Sequence, residues 1–195
     1  MLKNLYIVSH TSVYNPHNLC YGQSELPLEE NFTGDFDWIK ERLPTIKNTL
    51  VISSPLRRCT KLATYLTSDE YETDIFLSDR NYGNWELKEW GVISSRSIAS
   101  LQKDPINYAM PKGESLSQVD IRIASFLRNL QAEVKYESAV LVSHPLPIRC
   151  LLAQILGLPL SHINSLEISF GSISKINLAC SRIEYLNLNA LAFKT

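Results

Sequence analysis

The 195-residue sequence has no apolar run approaching the roughly 20 residues that a bilayer-spanning helix requires. It has almost no charge imbalance. A formal net charge of −1 gives no global attraction to nucleic acid or to an anionic membrane, so neither is expected as a partner. The opening Met1 to Val8 lacks the long apolar region and small-residue cleavage site of a secretory leader, and a cytoplasmic location is the expectation. Cys20, Cys59, Cys150 and Cys180 form no Cys-x-x-Cys pair and are expected as free thiols, with Cys59 and Cys150 filling the core. There is no His-x-x-x-His motif, and neither a metal nor a cofactor is expected. Repeats, charge runs, linkers and low-complexity segments are also lacking. Residues 1–195 therefore read as one domain, long enough for a sizeable core.

What the sequence does contain is one phrase written twice. Tyr6-Ile7-Val8-Ser9-His10 and Val140-Leu141-Val142-Ser143-His144 are short apolar runs that end in Ser-His. Such runs read as buried parallel strands. Each histidine then sits where a strand leaves the core at its carboxyl end, the edge at which open α/β sheets bind ligands. If the two strands are neighbours, the imidazoles meet over one crevice.

Taken in order, a strand over Asn4 to Ser9 leads into a loop from Thr11 to Pro27, rich in Asn, Pro, Gly and Tyr. A helix is predicted from Phe32 to Leu43 and a strand from Thr49 to Ser53. A helix then opens at Ser54-Pro55, with proline suited to its first turn, and runs through Leu66. A short strand is predicted at Asp74 to Leu77, a weak helix near Val92 to Gln102 and a loop from Asp104 to Glu114. Ser115-Leu116-Ser117-Gln118 fits a capping box before a helix with apolar residues at Leu116, Val119, Ile123, Phe126, Leu127 and Leu130. A strand over Ser138 to Ser143, a helix from Pro145 to Leu156 ended by Gly157, and two or three strands between Leu166 and Leu188 complete the chain. Gly171 and Ser181 are read as the turns of that last segment. The pattern is that of a three-layer α/β/α protein with a mostly parallel central sheet.

Two strand-end histidines admit two chemistries. Zinc would want a third ligand. A neutral imidazole can instead attack phosphorus and carry the phosphoryl group covalently. That reaction needs positive charge on the phosphoryl oxygens and an acid for the leaving group. Both are available. Arg57 and Arg58 fall in the first helical turn after Ser53-Ser54-Pro55-Leu56, where a helix amino terminus already favours anions. Asp79 lies just past the strand predicted at Asp74 to Leu77, as an acid or as a plain turn aspartate. His17 and His162 read as surface or structural residues.

This constellation resembles the histidine phosphatase superfamily, with its phosphoglycerate-mutase-like fold. His10, Ser53-Ser54-Pro55-Leu56-Arg57-Arg58, Asp79 with Gly83-Asn84-Trp85-Glu86, Gly113-Glu114-Ser115 and Val142-Ser143-His144 occur in the family's order. Within the family, Ser9-His10-Thr11-Ser12-Val13 followed by Cys20 to Leu28 is similar to the opening of α-ribazole-5′-phosphate phosphatases of the cobalamin pathway. The resemblance implies a phosphomonoesterase acting on a small phosphorylated metabolite. In it His10 is the nucleophile, Arg58 the phosphate clamp, His144 a donor to the phosphoryl oxygens and Asp79 the acid. Ser9, Tyr21, Gln23, Trp85 and Glu114 are implied around the substrate, and Trp85, Trp90, Tyr21 and Tyr82 offer either a base-binding wall or core packing.

The chain also departs from the family. Ser9 stands where the family has its first phosphate-binding arginine, and losing such a clamp costs about 3–4 kcal/mol of transition-state stabilisation. Asp79 replaces glutamate, and Pro145 replaces a glycine and removes an N–H. Arg57, Lys88 and Lys112 are the candidates for a replacement cation. The alternative reading is a catalytically impaired member that binds a phosphorylated ligand or a partner.

Overall fold

The computed structural model describes residues 2–44, 48–68, 70–132, 135–180 and 182–189. Its elements in chain order are β1 (Asn4–Ser9), β2 (Leu19–Cys20), α1 (Phe32–Lys40), β3 (Thr49–Ser53), α2 (Arg57–Thr67), β4 (Glu72–Thr73), β5 (Lys88–Glu89), α3 (Ser95–Lys103), α4 (Leu116–Ala132), β6 (Ser138–Ser143), α5 (Pro145–Leu156), β7 (Ile173–Asn177) and β8 (Arg182–Leu188). Single 3₁₀ turns cover Ile75–Leu77, Gly83–Trp85 and Trp90–Val92, and a longer one covers Leu160–Ser165.

The main sheet has the order β4-β3-β6-β1-β7-β8 among the described residues. The pairs β3–β4, β3–β6 and β1–β6 are parallel, while β1–β7 and β7–β8 are antiparallel. The predicted mostly parallel sheet between helical layers is the one found. Side chains alternate across it, as a strand requires. Leu5, Ile7, Leu50, Ile52, Ala139 and Leu141 pack with Val119, Ile123 and Phe126 of α4 and Ile148, Leu151 and Leu152 of α5. Val8, Val51, Val140 and Val142 point the other way, onto Phe36 and Ile39 of α1 and Leu62, Ala63 and Leu66 of α2. Burial on both faces is why β1, β3 and β6 read as unbroken apolar runs rather than alternating ones.

The capping box of α4 forms reciprocally. Ser115 Oγ accepts the Gln118 N–H at 3.2 Å, and Gln118 Oε1 accepts the Ser115 N–H at 2.8 Å. Several boundaries differ from expectation. Helix α2 starts at Arg57 rather than Ser54-Pro55, because Leu56 stays extended with its N–H held by Ser54 Oγ at 3.3 Å. Asp74 to Leu77 is not a strand. The Asp74 carboxylate accepts the Phe76 N–H at 2.8 Å and curls the segment into a 3₁₀ turn, leaving Glu72–Thr73 as the paired strand. Helix α1 stops at Lys40, where Arg42 and Leu43 donate to Ile39 and Lys40 in tighter three-residue bonds. The weak helix begins at Ser95, after the turn at Trp90–Val92. The loop from Thr11 to Pro27 includes β2, which pairs with β5, and a bridge joins Val13 to Leu28. Gly171 sits in a turn with positive φ, as expected, and Ser181 lies outside the described residues.

The segment carrying Asp79 is pinned where Gly83 meets the turn at Pro111 to Gly113. Gly83 has φ +55°, and a β-carbon there would collide with the Pro111 carbonyl oxygen. Gly83→Ala is therefore expected to destabilise by at least about 1–2 kcal/mol from the left-handed backbone alone. Urea denaturation measures this, and a change below about 0.5 kcal/mol, the range of an ordinary surface substitution, would show that the segment is not pinned there.

Candidate active site

The β1–β6 register sets Ser9 opposite Ser143, and the His10 N–H donates to the Ser143 carbonyl at 3.0 Å. The next residue on each chain is a histidine. Their ring centroids lie 5.0 Å apart at an interplanar angle of 62°. Both side chains are fully buried.

The two rings are wired differently. His10 Nδ1 is 2.7 Å from the Thr11 carbonyl, an acceptor, so Nδ1 carries the proton and Nε2 presents a lone pair. That Nε2 is buried and has no hydrogen-bond partner. Burial, reinforced by the Arg58 charge, pushes the His10 pKa down to about 3 and keeps the ring neutral. His144 Nδ1 accepts from Arg58 Nε at 3.1 Å, so its proton is on Nε2, which donates to Ser54 Oγ at 2.8 Å. Burial, followed by its neighbours His10 and Arg58, holds its pKa well below the ordinary value. With both nitrogens engaged, Nδ1 could donate to an anion only after Arg58 leaves it and it gains a proton.

Arg58 is buried, whereas Arg57 beside it is exposed. Arg58 Nη1 donates to the Ser24 carbonyl at 3.1 Å and Nη2 to the Gly22 carbonyl at 2.5 Å. Its guanidinium lies 5.1 Å from the Tyr21 ring centroid. Asp79 Oδ2 sits 3.5 Å from Arg58 Nη2 and 3.8 Å from His144 Nδ1. Burial outweighs Arg58 here and raises the Asp79 pKa to about 6. A carboxyl that keeps its proton into the near-neutral range can serve as a general acid.

His10, Arg58, Asp79, His144 and Tyr21 thus come together around one point. The other predicted residues stand further out. Gln23 Nε2 donates to the Asp79 carbonyl at 2.9 Å. Glu114 pairs with Arg122 at 3.0 Å and accepts the Asn81 N–H at 2.9 Å, bracing the Asp79 segment. Ser9 is buried, and its Oγ donates to the His10 carbonyl at 3.5 Å. Trp85 is 4% exposed and packs against Trp90 and Tyr108 in a separate aromatic cluster with Cys20 and Met110. That cluster meets its large apolar area by core packing. Tyr82 joins it through Trp90. Arg57, Lys88 and Lys112 remain exposed, and Arg58 is the cation whose charge acts on His10.

Four contributors were not anticipated. Ser54 holds His144. Glu86 accepts the N–H groups of Gln23 and Tyr82 and the hydroxyl of Ser24. Arg122 donates to the Asp79 carbonyl at 3.0 Å and to the Phe76 carbonyl. Phe170 lies 5.0 Å from the His10 ring and is 43% exposed. Ser54 and Glu86 lay inside the motifs already quoted. Arg122, in mid-helix, and Phe170 carried no signal. No group of three or more possible metal ligands occurs among the described residues.

This sheet and its layers define an α/β/α protein of the phosphoglycerate-mutase-like fold. The chain superposes with a TM-score of 0.84 on the alpha-ribazole phosphatase from Shigella flexneri, at 21% identity and 96% coverage of both chains. A mycobacterial glucosyl-3-phosphoglycerate phosphatase gives 0.76 at 22% identity, covering 96% of this chain and 99% of that one. The chain belongs to the histidine phosphatase superfamily (branch 1), whose family model matches residues 5–190. Among sequence relatives, the "Probable phosphoglycerate mutase GpmB" of Enterobacter sp. (strain 638) is 28% identical over 187 residues, covering 89% of this chain and 84% of the relative.

Burial of these groups makes stability depend on pH in opposing ways. The unfolded chain protonates His10 near 6.5 and the folded chain near 3, so His10 removes stability as pH falls from 6.5 toward 3. Asp79 keeps its proton up to about 6 when folded, against 3.8 when unfolded, so it adds stability as pH falls from 6 toward 3.8. Between pH 7 and pH 5 the His10 loss is about 2 kcal/mol and the Asp79 gain about 1 kcal/mol. His10→Gln should relieve the acid loss by about that amount, and Asp79→Asn should deepen it. Urea midpoints at the two pH values measure both. A His10→Gln profile parallel to the wild type would show that His10 is not buried neutral.

Proposed function

We propose that this chain is a phosphomonoesterase that hydrolyses a small phosphorylated metabolite through a phosphohistidine at His10. The observation that carries this reading is the His10 Nε2 lone pair, neutral, buried and unpartnered beside the Arg58 guanidinium. In the first step Nε2 attacks phosphorus, the bond from phosphorus to the ester oxygen breaks, and Asp79 gives its proton to the departing alkoxide. In the second, water attacks the phosphohistidine, the Asp79 carboxylate takes a proton from that water, and inorganic phosphate leaves with His10 neutral again. Arg58 bears the charge that spreads over the phosphoryl oxygens. A bound dianion draws Arg58 Nε from His144 and favours a proton on His144 Nδ1.

The substrate to test first is α-ribazole 5′-phosphate, on the strength of the Cys20-to-Leu28 stretch and the fold shared with an alpha-ribazole phosphatase. The reading takes residues 1–195 as one cytoplasmic domain that needs neither metal nor cofactor. No helix among the described residues is long and apolar enough to cross a membrane. The phosphoglycerate mutase names among the relatives make a mutase the competitor. Release of inorganic phosphate, against isomerisation of a phosphoglycerate, separates the two.

Two measurements test the chemistry. Turnover of an aryl phosphate should vanish in His10→Ala, and clean wild-type protein that turns over nothing on a phosphate-ester panel would sink the proposal. Activity should decline above pH about 6, as Asp79 loses its proton. Asp79→Asn should slow an alkyl phosphate by about 10²–10⁴-fold and a nitrophenyl phosphate much less, since the better leaving group needs no acid. Equal losses on both esters would remove Asp79 from that role.

The second reading, an impaired binder of phosphorylated ligands or partners, draws on Ser9. Its small buried side chain carries no charge, and Arg57, Lys88 and Lys112 stay at the surface. If a missing clamp limits the rate, Ser9→Arg in a variant that still folds should raise turnover by about 10²–10³-fold. Unchanged or lower turnover means that the missing charge is not limiting.

A further inference from the structure

Among the described residues, three buried side-chain polar atoms lack any hydrogen-bond partner: His10 Nε2, Thr11 Oγ1 and Ser78 Oγ. Thr11 and Ser78 are each 1% exposed. The other buried polar side chains at the strand ends are engaged. Ser54 takes His144, Ser143 Oγ donates to the Leu77 carbonyl at 2.7 Å, and Ser53 Oγ donates to the Ser54 carbonyl at 2.8 Å. A buried hydroxyl left unpaired costs about 1–3 kcal/mol, so two of them call for a cause.

Their positions supply it. Thr11 directly follows His10, and Ser78 directly precedes Asp79. The bond from Ser143 to Leu77 ties the Ser78 segment to the end of β6, next to His144. The Thr11 methyl is the group turned toward Gly171, 3.8 Å from where a β-carbon there would stand. Each hydroxyl thus belongs to a residue next in the chain to a group of the site, Thr11 to His10 and Ser78 to Asp79. The three orphan atoms are also complementary as a set. A lone pair on Nε2 suits phosphorus, and two hydroxyls suit the oxygens around it.

Resting on the phosphatase reading above, we infer that Thr11 and Ser78 form a neutral oxyanion subsite, donating hydroxyl hydrogen bonds to the phosphoryl oxygens on the side where Ser9 supplies no charge. The subsite takes a phosphoryl or similar tetrahedral oxyanion. It also explains how a site with one buried guanidinium can hold a transferring phosphoryl group. Preorganised neutral donors in a dry site can contribute as much as a charged group that must be desolvated.

A structural role and a binding role predict opposite signatures for Thr11→Val and Ser78→Ala. Deleting an unsatisfied hydroxyl should leave the free protein as stable as before, or more stable. Affinity for inorganic phosphate, measured by titration calorimetry, should fall about tenfold in each variant, as expected for losing one bond to a charged ligand. Thr11→Ser, which keeps the hydroxyl, should restore binding. Unchanged phosphate affinity in both variants overturns the inference. So does a loss of stability with affinity intact, which would mean that the hydroxyls serve resident water. If the wild type turns over esters and loses that activity in His10→Ala while both hydroxyl variants bind phosphate normally, the subsite alone fails. If the wild type neither binds phosphate nor turns over an ester, the phosphatase reading fails and takes the subsite with it.

Discussion

The parallel pairing of β1 with β6 is the constraint on which the site depends. It joins Asn4–Ser9 to Ser138–Ser143 without offset, and so delivers two histidines to one sheet edge. The register is held by apolar burial on both faces. A slip of β1 by one residue against β6 would turn Ile7 toward the α1/α2 layer and Val8 toward α4 and α5, while Leu141 and Val142 kept their places. The same slip would part His10 from the Ser143 carbonyl that takes its N–H. The hydrophobic pattern that builds the sheet therefore also fixes the 5.0 Å ring separation.

Burial then decides the protonation states. It drives both imidazoles toward neutrality and lets Asp79 keep its proton despite a guanidinium 3.5 Å away. A buried cation is costly unless its donors are met. Arg58 meets this with the carbonyls of Gly22 and Ser24, the His144 ring and Asp79. The long loop after β1 thus has a defined electrostatic task. It is fixed in turn by Glu86, which gathers Gln23, Ser24 and Tyr82.

Most of this was legible where local and global signals agree. β1, β3, β6 and α5 fall on their predicted residues, since long apolar runs and the proline and glycine of α5 leave little choice. The capping box placed α4. Short segments were less legible. Three apolar residues after Asp74 read as a strand until the aspartate side chain bends them. Pro55 suits a helical first turn, but the Ser54 hydroxyl claims the Leu56 N–H first. Within the site, the residues carried by motif at strand ends converge. Trp85 and Glu114 do not face the histidines, because an aromatic ring and a carboxylate serve equally well as core and brace. Arg122 was silent in the sequence because an arginine in an amphipathic helix looks like solvent-facing charge until the fold turns it inward.

The same burial that tunes the groups also hides them. His10 has no exposed surface, and Phe170 lies against its ring while showing 43% of its own surface to solvent. On the phosphatase reading, an ester would reach Nε2 only after the groups covering it yield. The Phe170 segment is tethered to the end of β1 by the Gly171 N–H, which donates to the His10 carbonyl at 2.9 Å. On the same reading, the guanidinium of Arg58 would exchange the Gly22 and Ser24 carbonyls for phosphoryl oxygens. Bonds to a charged oxygen are roughly twice as strong as bonds to a neutral one, so the exchange favours the occupied site. If the site takes a phosphoryl group, opening and binding would be one equilibrium: the closed site satisfies Arg58 with its own backbone, and an anion offers the guanidinium stronger partners.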